Sequence, residues 1–192
     1  EDAIAPEPPP PPDDDWEEGE LARVEQDRIE IRQPIRFAYG TDRIEADSLP
    51  ILREVAEVLK TNPAIGQIII EGHASAEGGF TYNYELSILR ARAVWEALVD
   101  LGVHPLRMAY RGMGEVMPVS GVDDAGAPEA ELARNRRVEF HIAHWRTADD
   151  PPLPAGTLPL PWSGEPRQFP APPEPAPPAP ADDPEGTEEA GP

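Results

Sequence analysis

Asn83, Ser87 and Arg90 stand at positions i, i+4 and i+7 of a segment with helical spacing, so their side chains share one face over two turns. An arginine can hold a carboxylate through two parallel hydrogen bonds. The segment follows an apolar run, Ile68-Ile69-Ile70, and a glycine-bounded loop, Gly72–Gly79. A crevice at the carboxyl end of a strand, beside a helix N-terminus, is a natural ligand position, where free backbone N–H groups and the helix dipole favour a carboxylate. On composition alone, Arg90 also reads as a surface arginine whose stem packs over its helix.

Other chemistries have less to stand on. There is no Gly-x-Ser-x-Gly, no Ser-x-x-Lys and no cysteine, so hydrolytic nucleophile patterns are missing. No phosphate-binding glycine loop occurs, and Lys60 is the only lysine. The chain is expected not to be an enzyme and to need no cofactor. Glu71, His73, Ser75 and Glu77 alternate and would share one face of a continued strand. A histidine among carboxylates can bind zinc, but His73 is read as a hydrogen-bonded strand-end histidine, and no metal site is expected. His141 and His144 are three apart in a strand and so face opposite ways, and Asp123-Asp124 lacks calcium-loop spacing.

The elements that position these residues follow from periodicity. Ile29–Gln33 and Ile35–Tyr39 alternate as a strand that Pro34 breaks or confines to an edge, and Gly40-Thr41-Asp42 reads as a turn. Asp47 or Ser48 can cap a helix to about Thr61 with Leu49, Leu52, Val55, Ala56 and Leu59 as its stripe. Ile68-Ile69-Ile70 lies in a central strand, Gln67–Glu71, expected to be covered on both faces. A second helix, about Tyr82–Leu101, should bury Leu86, Leu89, Ala93, Val94, Ala97, Leu98 and Leu101 and end at Gly102. A strand near Met108–Arg111 follows, then a loop-rich stretch over Gly112–Ala127 and a short helix over Pro128–Arg134. The last strand, Arg136–Ala143, puts Val138, Phe140 and Ile142 on one face and Arg137, Glu139 and His141 on the other.

Composition sets the outer limits. Of 27 prolines among 192 residues, six lie in Glu1–Asp15 and fifteen in Asp150–Pro192, which marks both ends as low-complexity tails. The formal charge is −21. The first fifteen residues carry six acids and no base, and Asp149–Pro192 carries nine acids and one base, leaving a mildly acidic middle. That balance argues against nucleic acid and anionic lipid as partners. No window is apolar enough to cross a membrane, so no direct membrane insertion is expected. No signal peptide is read, and Glu1 suggests a mature form or an excised piece whose anchor lies elsewhere. The expected organisation is an acidic Pro-rich linker over 1–27, one domain over 28–147 and a disordered acidic tail over 148–192. An extended polyproline tail would reach about 130 Å as a spacer. Pro151–Pro161 or the Trp162 region could also dock to a partner groove.

Four ordered motifs then identify a resemblance. They are Glu71-Gly72-His73 closing an apolar strand, Asn83-x-x-Leu86-Ser87-x-x-Arg90-Ala91-x-x-Val94 opening a helix, Gly112-x-Gly114-Glu115 with Pro118, and Asn135-Arg136-Arg137-Val138-Glu139. Over about Ile29–Ile142 the chain resembles the OmpA-like domain of outer-membrane barrels, peptidoglycan-associated lipoprotein and flagellar stator proteins. The resemblance implies an α/β (α+β sandwich) fold, a βαβαβ-type unit with helices packed on a mixed four-stranded sheet. It also implies non-covalent binding of the diaminopimelate residue of peptidoglycan stem peptides, in the periplasm, by a protein attached to the outer membrane through an anchor or barrel outside this chain. A homodimer is a further expectation. Carried over, Arg90 takes the ligand carboxylate and Asn83 adds a hydrogen bond. The family's aspartate, which takes the ammonium, is replaced by Ser75. Losing that charge should cost about 1.5–3 kcal/mol, or roughly ten- to a hundredfold in affinity. Glu77, two residues on, could restore it, and Gly40 and Arg136 are further candidates around the same site. The alternative is an OmpA-like scaffold that has lost wall binding and serves as a structural or protein-interaction module.

Overall fold

The structure is a computed structural model that describes residues 16–119 and 127–153. Glu1–Asp15, Asp123-Asp124, most of Pro151–Pro161 and the Trp162 region lie outside the described residues. The elements run β1 (Ala22–Glu25), β2 (Arg28–Ile31), α1 (Leu49–Thr61), β3 (Ile65–His73), α2 (Phe80–Asp100), β4 (Met108–Gly114), α3 (Glu129–Asn135) and β5 (Val138–Trp145). The sheet has five strands in the order β1-β2-β5-β3-β4, with β3 and β4 parallel and the other pairs antiparallel. The fold class stands, with one strand more than the four expected. The addition is β1, upstream of Arg28, which pairs Ala22 with Ile31 and Val24 with Ile29 through a tight turn at Gln26, φ 49°.

α1 and α2 share one apolar cluster with one face of the sheet. Leu52, Val55, Ala56 and Leu59 of α1 meet Ala91, Val94 and Leu98 of α2 over Ile68, Ile70, Val138 and Phe140. The period of two along a strand therefore sends Ile69, Glu71 and His73 to the opposite face. That face is lined by charged side chains of β4 and β5, so the expectation of apolar cover on both sides of the central strand is corrected. In α1, Ile51 is buried where Leu49 was expected, and Leu49 is exposed.

Two glycines let α2 lie close on the sheet. A Cβ on Gly72 would sit 2.1 Å from the Ser87 carbonyl oxygen, and one on Gly112 would sit 2.4 Å from Ser87 Oγ. Close backbone approach rotates α2 relative to the apolar stripe read from sequence. Its buried residues are Asn83, Leu86, Ser87, Arg90, Ala91, Val94, Leu98 and Val99, while Leu89, Ala93 and Ala97 are only half-buried. β4 also runs to Gly114, into the stretch expected as loop, because Gly112 pairs with Gly72 and Gly114 with His73.

After β2 the ladder stops before Pro34, and Ile35–Tyr39 forms a turn-bound loop instead of a strand. Phe37 bridges Ile44, the Ala38 N–H donates to the Arg43 carbonyl at 2.9 Å, and Gly40 takes φ 65° between them. Ser48 precedes α1 without capping it. Its Oγ instead accepts from the Arg36 N–H at 2.8 Å, which fixes this loop against the helix.

Arg107 ties the far end of the domain together. It is buried, and its guanidinium donates to the carbonyls of Leu59 at 2.6 Å, Asn62 at 3.1 Å and Ile65 at 2.7 Å. These are the terminal carbonyls of α1 and the first of β3, which lack helical partners.

Candidate functional site

The polar stripe of α2 turns inward. Asn83 is 2% exposed, Ser87 fully buried and Arg90 7% exposed, so Arg90 is not a surface arginine. Ser87 Oγ donates to the Tyr84 carbonyl at 2.7 Å and accepts from the Gly114 N–H at 2.9 Å, pinning the helix to the end of β4. Asn83 Nδ2 donates to Glu115 Oε2 at 2.5 Å. Glu115 therefore occupies the amide that the resemblance assigns to a ligand.

Arg90 reaches under the Phe37–Ile44 loop. Its Nε donates to the Thr41 carbonyl at 3.1 Å, and its guanidinium carbon lies 5.1 Å from the centre of the Phe37 ring. That cation–π contact and the single Nε bond orient the planar fork. Among the described residues, neither Nη atom has a hydrogen-bond partner. Arg90 lines a cavity of about 350 Å³ together with Pro34, Ile35, Arg36, Phe37, Glu45, Ala133 and Arg136. Burial pushes the guanidinium down to about 10, Tyr82 and Asp42 draw it back up, and Arg136 adds to the drop. At neutral pH it is still a cation.

The second half of the site is a small network at the end of β3. Ser75 is buried, and its Oγ donates to Glu77 Oε2 at 3.0 Å. The same oxygen accepts from Arg136 Nη1 at 2.6 Å, and Arg136 Nη2 pairs with Glu129. Arg136 both lines the Arg90 cavity and holds Glu77, so it joins the two halves. Among the described residues, Glu77 Oε1 has no hydrogen-bond partner.

The structure thus gathers Arg90 and Arg136 at one cavity and places Ser75 and Glu77 against Arg136. Gly40 adjoins Thr41, whose carbonyl orients Arg90. Asn83 is tied to Glu115 and does not line the cavity. Phe37 and Thr41 were not singled out from sequence as parts of the site. Both sit some fifty positions before Arg90 in a loop whose fold depends on Ser48 and the Phe37–Ile44 bridge. The aromatic Phe37, three positions before the Gly40 turn, was the one signal available.

Comparison with known proteins bears on the family of the chain. The chain is 29% identical over 127 residues to outer membrane protein A of Serratia marcescens, an alignment that takes in 62% of this chain and 35% of that protein. It is 33% identical over 104 residues to a peptidoglycan-associated lipoprotein of Pseudomonas putida, covering 54% of this chain and 59% of that one. The chain therefore spans about a third of the first protein and under two thirds of the second. The solved peptidoglycan-associated lipoprotein of Burkholderia pseudomallei superposes with a TM-score of 0.51 at 30% identity, over 57% of this chain and 89% of that one. The sequence pattern of the OmpA family matches residues 36–134, which hold α1, β3, α2, β4 and most of α3 together with Arg90, Asn83, Ser75 and Glu77, and on that match the chain belongs to the OmpA family.

Proposed function

We propose that this chain binds peptidoglycan non-covalently through the diaminopimelate residue of the stem peptide, and so tethers an outer-membrane or other envelope protein to the cell wall in the periplasm. The observation that carries this reading is Arg90, held by Thr41 and Phe37 at the lining of a cavity with neither Nη atom hydrogen-bonded among the described residues. A cation held in place in a partly dry cavity binds a carboxylate more strongly than a mobile surface arginine would. Relatives named as peptidoglycan-associated lipoproteins support the same assignment. The proposed role is binding, not catalysis.

In this reading Glu77 supplies the charge that Ser75 lacks. Its Oε2 stands on the Ser75 hydroxyl, and its Oε1 is left to take a ligand ammonium. Purified chain should co-sediment with insoluble sacculi, and Arg90→Ala should lower the affinity by about ten- to a hundredfold while leaving the circular dichroism spectrum intact. Equal sedimentation of the variant and the parent chain would end the tether reading.

A second reading, an OmpA-like scaffold without wall binding, is favoured by two contacts. Asn83 is engaged by Glu115, and Glu77 is already paired with Arg136. Under that reading the parent chain itself stays in the supernatant.

A further inference from the structure

The sheet face turned away from the helices carries a second polar cluster, apart from the Arg90 cavity. Glu71 of β3 stands directly opposite Glu139 of β5 and beside Arg111 of β4, while His141 faces Ile69 one row away. His73 follows Glu71 on the same side, and its N–H donates to the Arg137 carbonyl at 2.9 Å.

Each carboxylate has one oxygen held by an arginine. Arg111 Nε donates to Glu71 Oε1 at 2.8 Å, and Arg137 Nε donates to Glu139 Oε1 at 2.5 Å. The other oxygens turn toward the histidines. His73 Nε2 lies 3.9 Å from Glu71 Oε2 and 4.0 Å from Glu139 Oε2. His141 Nε2 lies 3.7 Å and 2.9 Å from the same two atoms.

His73 is the anomaly. It is 2% exposed, and neither ring nitrogen has a hydrogen-bond partner. A buried imidazole without a partner is costly unless another group uses its lone pair. This overturns its reading as a hydrogen-bonded strand-end histidine. Burial, with the Arg137 charge adding to it, pushes the ring down to about 4.

We infer that Glu71, His73 and Glu139 form a site for a divalent transition metal of the zinc class, with His141 at its rim. One ligand atom from each of the three residues lies within 4.8 Å of the others. Bonds near 2.0–2.1 Å in tetrahedral geometry put donor atoms about 3.3 Å apart. The His73–carboxylate distances of 3.9 and 4.0 Å must therefore close by about 0.6–0.7 Å, and the widest pair, within 4.8 Å, by up to about 1.5 Å, a movement of side-chain ends. Imidazole with carboxylate oxygens suits zinc, cobalt and nickel better than calcium or magnesium. Arg111 and Arg137 orient the ligating carboxylates from behind, as outer partners commonly do. Glu139 and His141 are half-exposed, which gives an ion a way in from solvent.

The test uses the full chain and metal salts alone. Calorimetric titration with zinc chloride should show one saturable site, and cobalt(II) should give the visible absorption of a low-coordinate nitrogen–oxygen site. Glu139→Gln keeps the shape and removes the charge at a half-exposed position, and it should weaken zinc by about tenfold or more and abolish the cobalt band. His73→Gln should do the same, with circular dichroism reporting whether it folds; if it does not, Glu139→Gln decides alone. His144→Gln, an exposed histidine paired with Asp150, should change neither readout. Weak unsaturable binding to the acidic tails, or a site with equal affinity in parent and Glu139→Gln, would overturn the assignment.

Discussion

At the scale of single residues, the informative contact is between Ser75 and Glu77. A carboxylate displaced by two positions can replace a missing one only if the loop carries it back, and here Glu77 Oε2 lies 3.0 Å from the Ser75 hydroxyl. The proposed ligand is a zwitterion, read by one acid and one base at fixed separation. Glu77→Gln removes the charge without removing the reach. Titrated against a diaminopimelate-containing stem peptide, it should bind about ten- to a hundredfold more weakly than the parent, the loss expected for one charge-assisted hydrogen bond. Unchanged affinity would leave Ser75 to meet the ammonium with its hydroxyl alone. Against a peptide lacking the free amine, parent and variant should bind alike, because Glu77 then has no cation to meet.

At the scale of elements, the site depends on how closely α2 lies on the sheet. Ser87 backbone sits where a Gly72 side chain would be, so Gly72→Ala must push the helix outward. The variant should lose about 2–3 kcal/mol of stability in denaturant unfolding, and ligand affinity should fall with it because Arg90 rides on the same helix. Gly79→Ala is the contrast: nothing lies within 4 Å of its Cβ position and its φ is −92°, so it should cost only the poorer N-cap, about 0.5–1 kcal/mol and well below Gly72→Ala. Equal stability of the two variants would refute the close-packing account. Much of this architecture was legible in sequence. Val138, Phe140 and Ile142 alternate with Arg137, Glu139 and His141, and the structure puts Val138 and Phe140 in the core with the polar set opposite. What was not legible came from distant pairings. β1 is four residues, Ala-Arg-Val-Glu, too short and too polar to carry a period, and its turn has no glycine. Arg107 makes its three bonds to carbonyls 42 to 48 positions away, which no local pattern announces. The Glu71–Glu139 pairing needs the register of β3 on β5 before the two acids can be seen as one cluster.

At the scale of the whole molecule, one buried cation works against a strongly negative field. The chain carries −21 overall, with acid-rich segments at both ends of the sequence. Peptidoglycan stem peptides also present carboxylates, so under the proposed function the long-range force between chain and wall is repulsive and the proposed short-range contact at Arg90 attractive. Salt screens the two unequally: the Debye length falls to about 10 Å at about 0.1 M, which removes the distant repulsion but leaves a partly buried pair largely intact. Association with sacculi or soluble stem-peptide fragments should therefore become faster, not slower, as ionic strength rises from about 0.01 to about 0.2 M. Dissociation should change little over the same range, since it reports the contact inside the cavity. Stopped-flow or surface-based kinetics at several salt concentrations separates the two rates. A protein that met the wall through scattered surface arginines would show the opposite sign, with an association rate falling steeply as salt is added. That sign would move the binding surface off the Arg90 cavity and onto exposed arginines elsewhere on the domain.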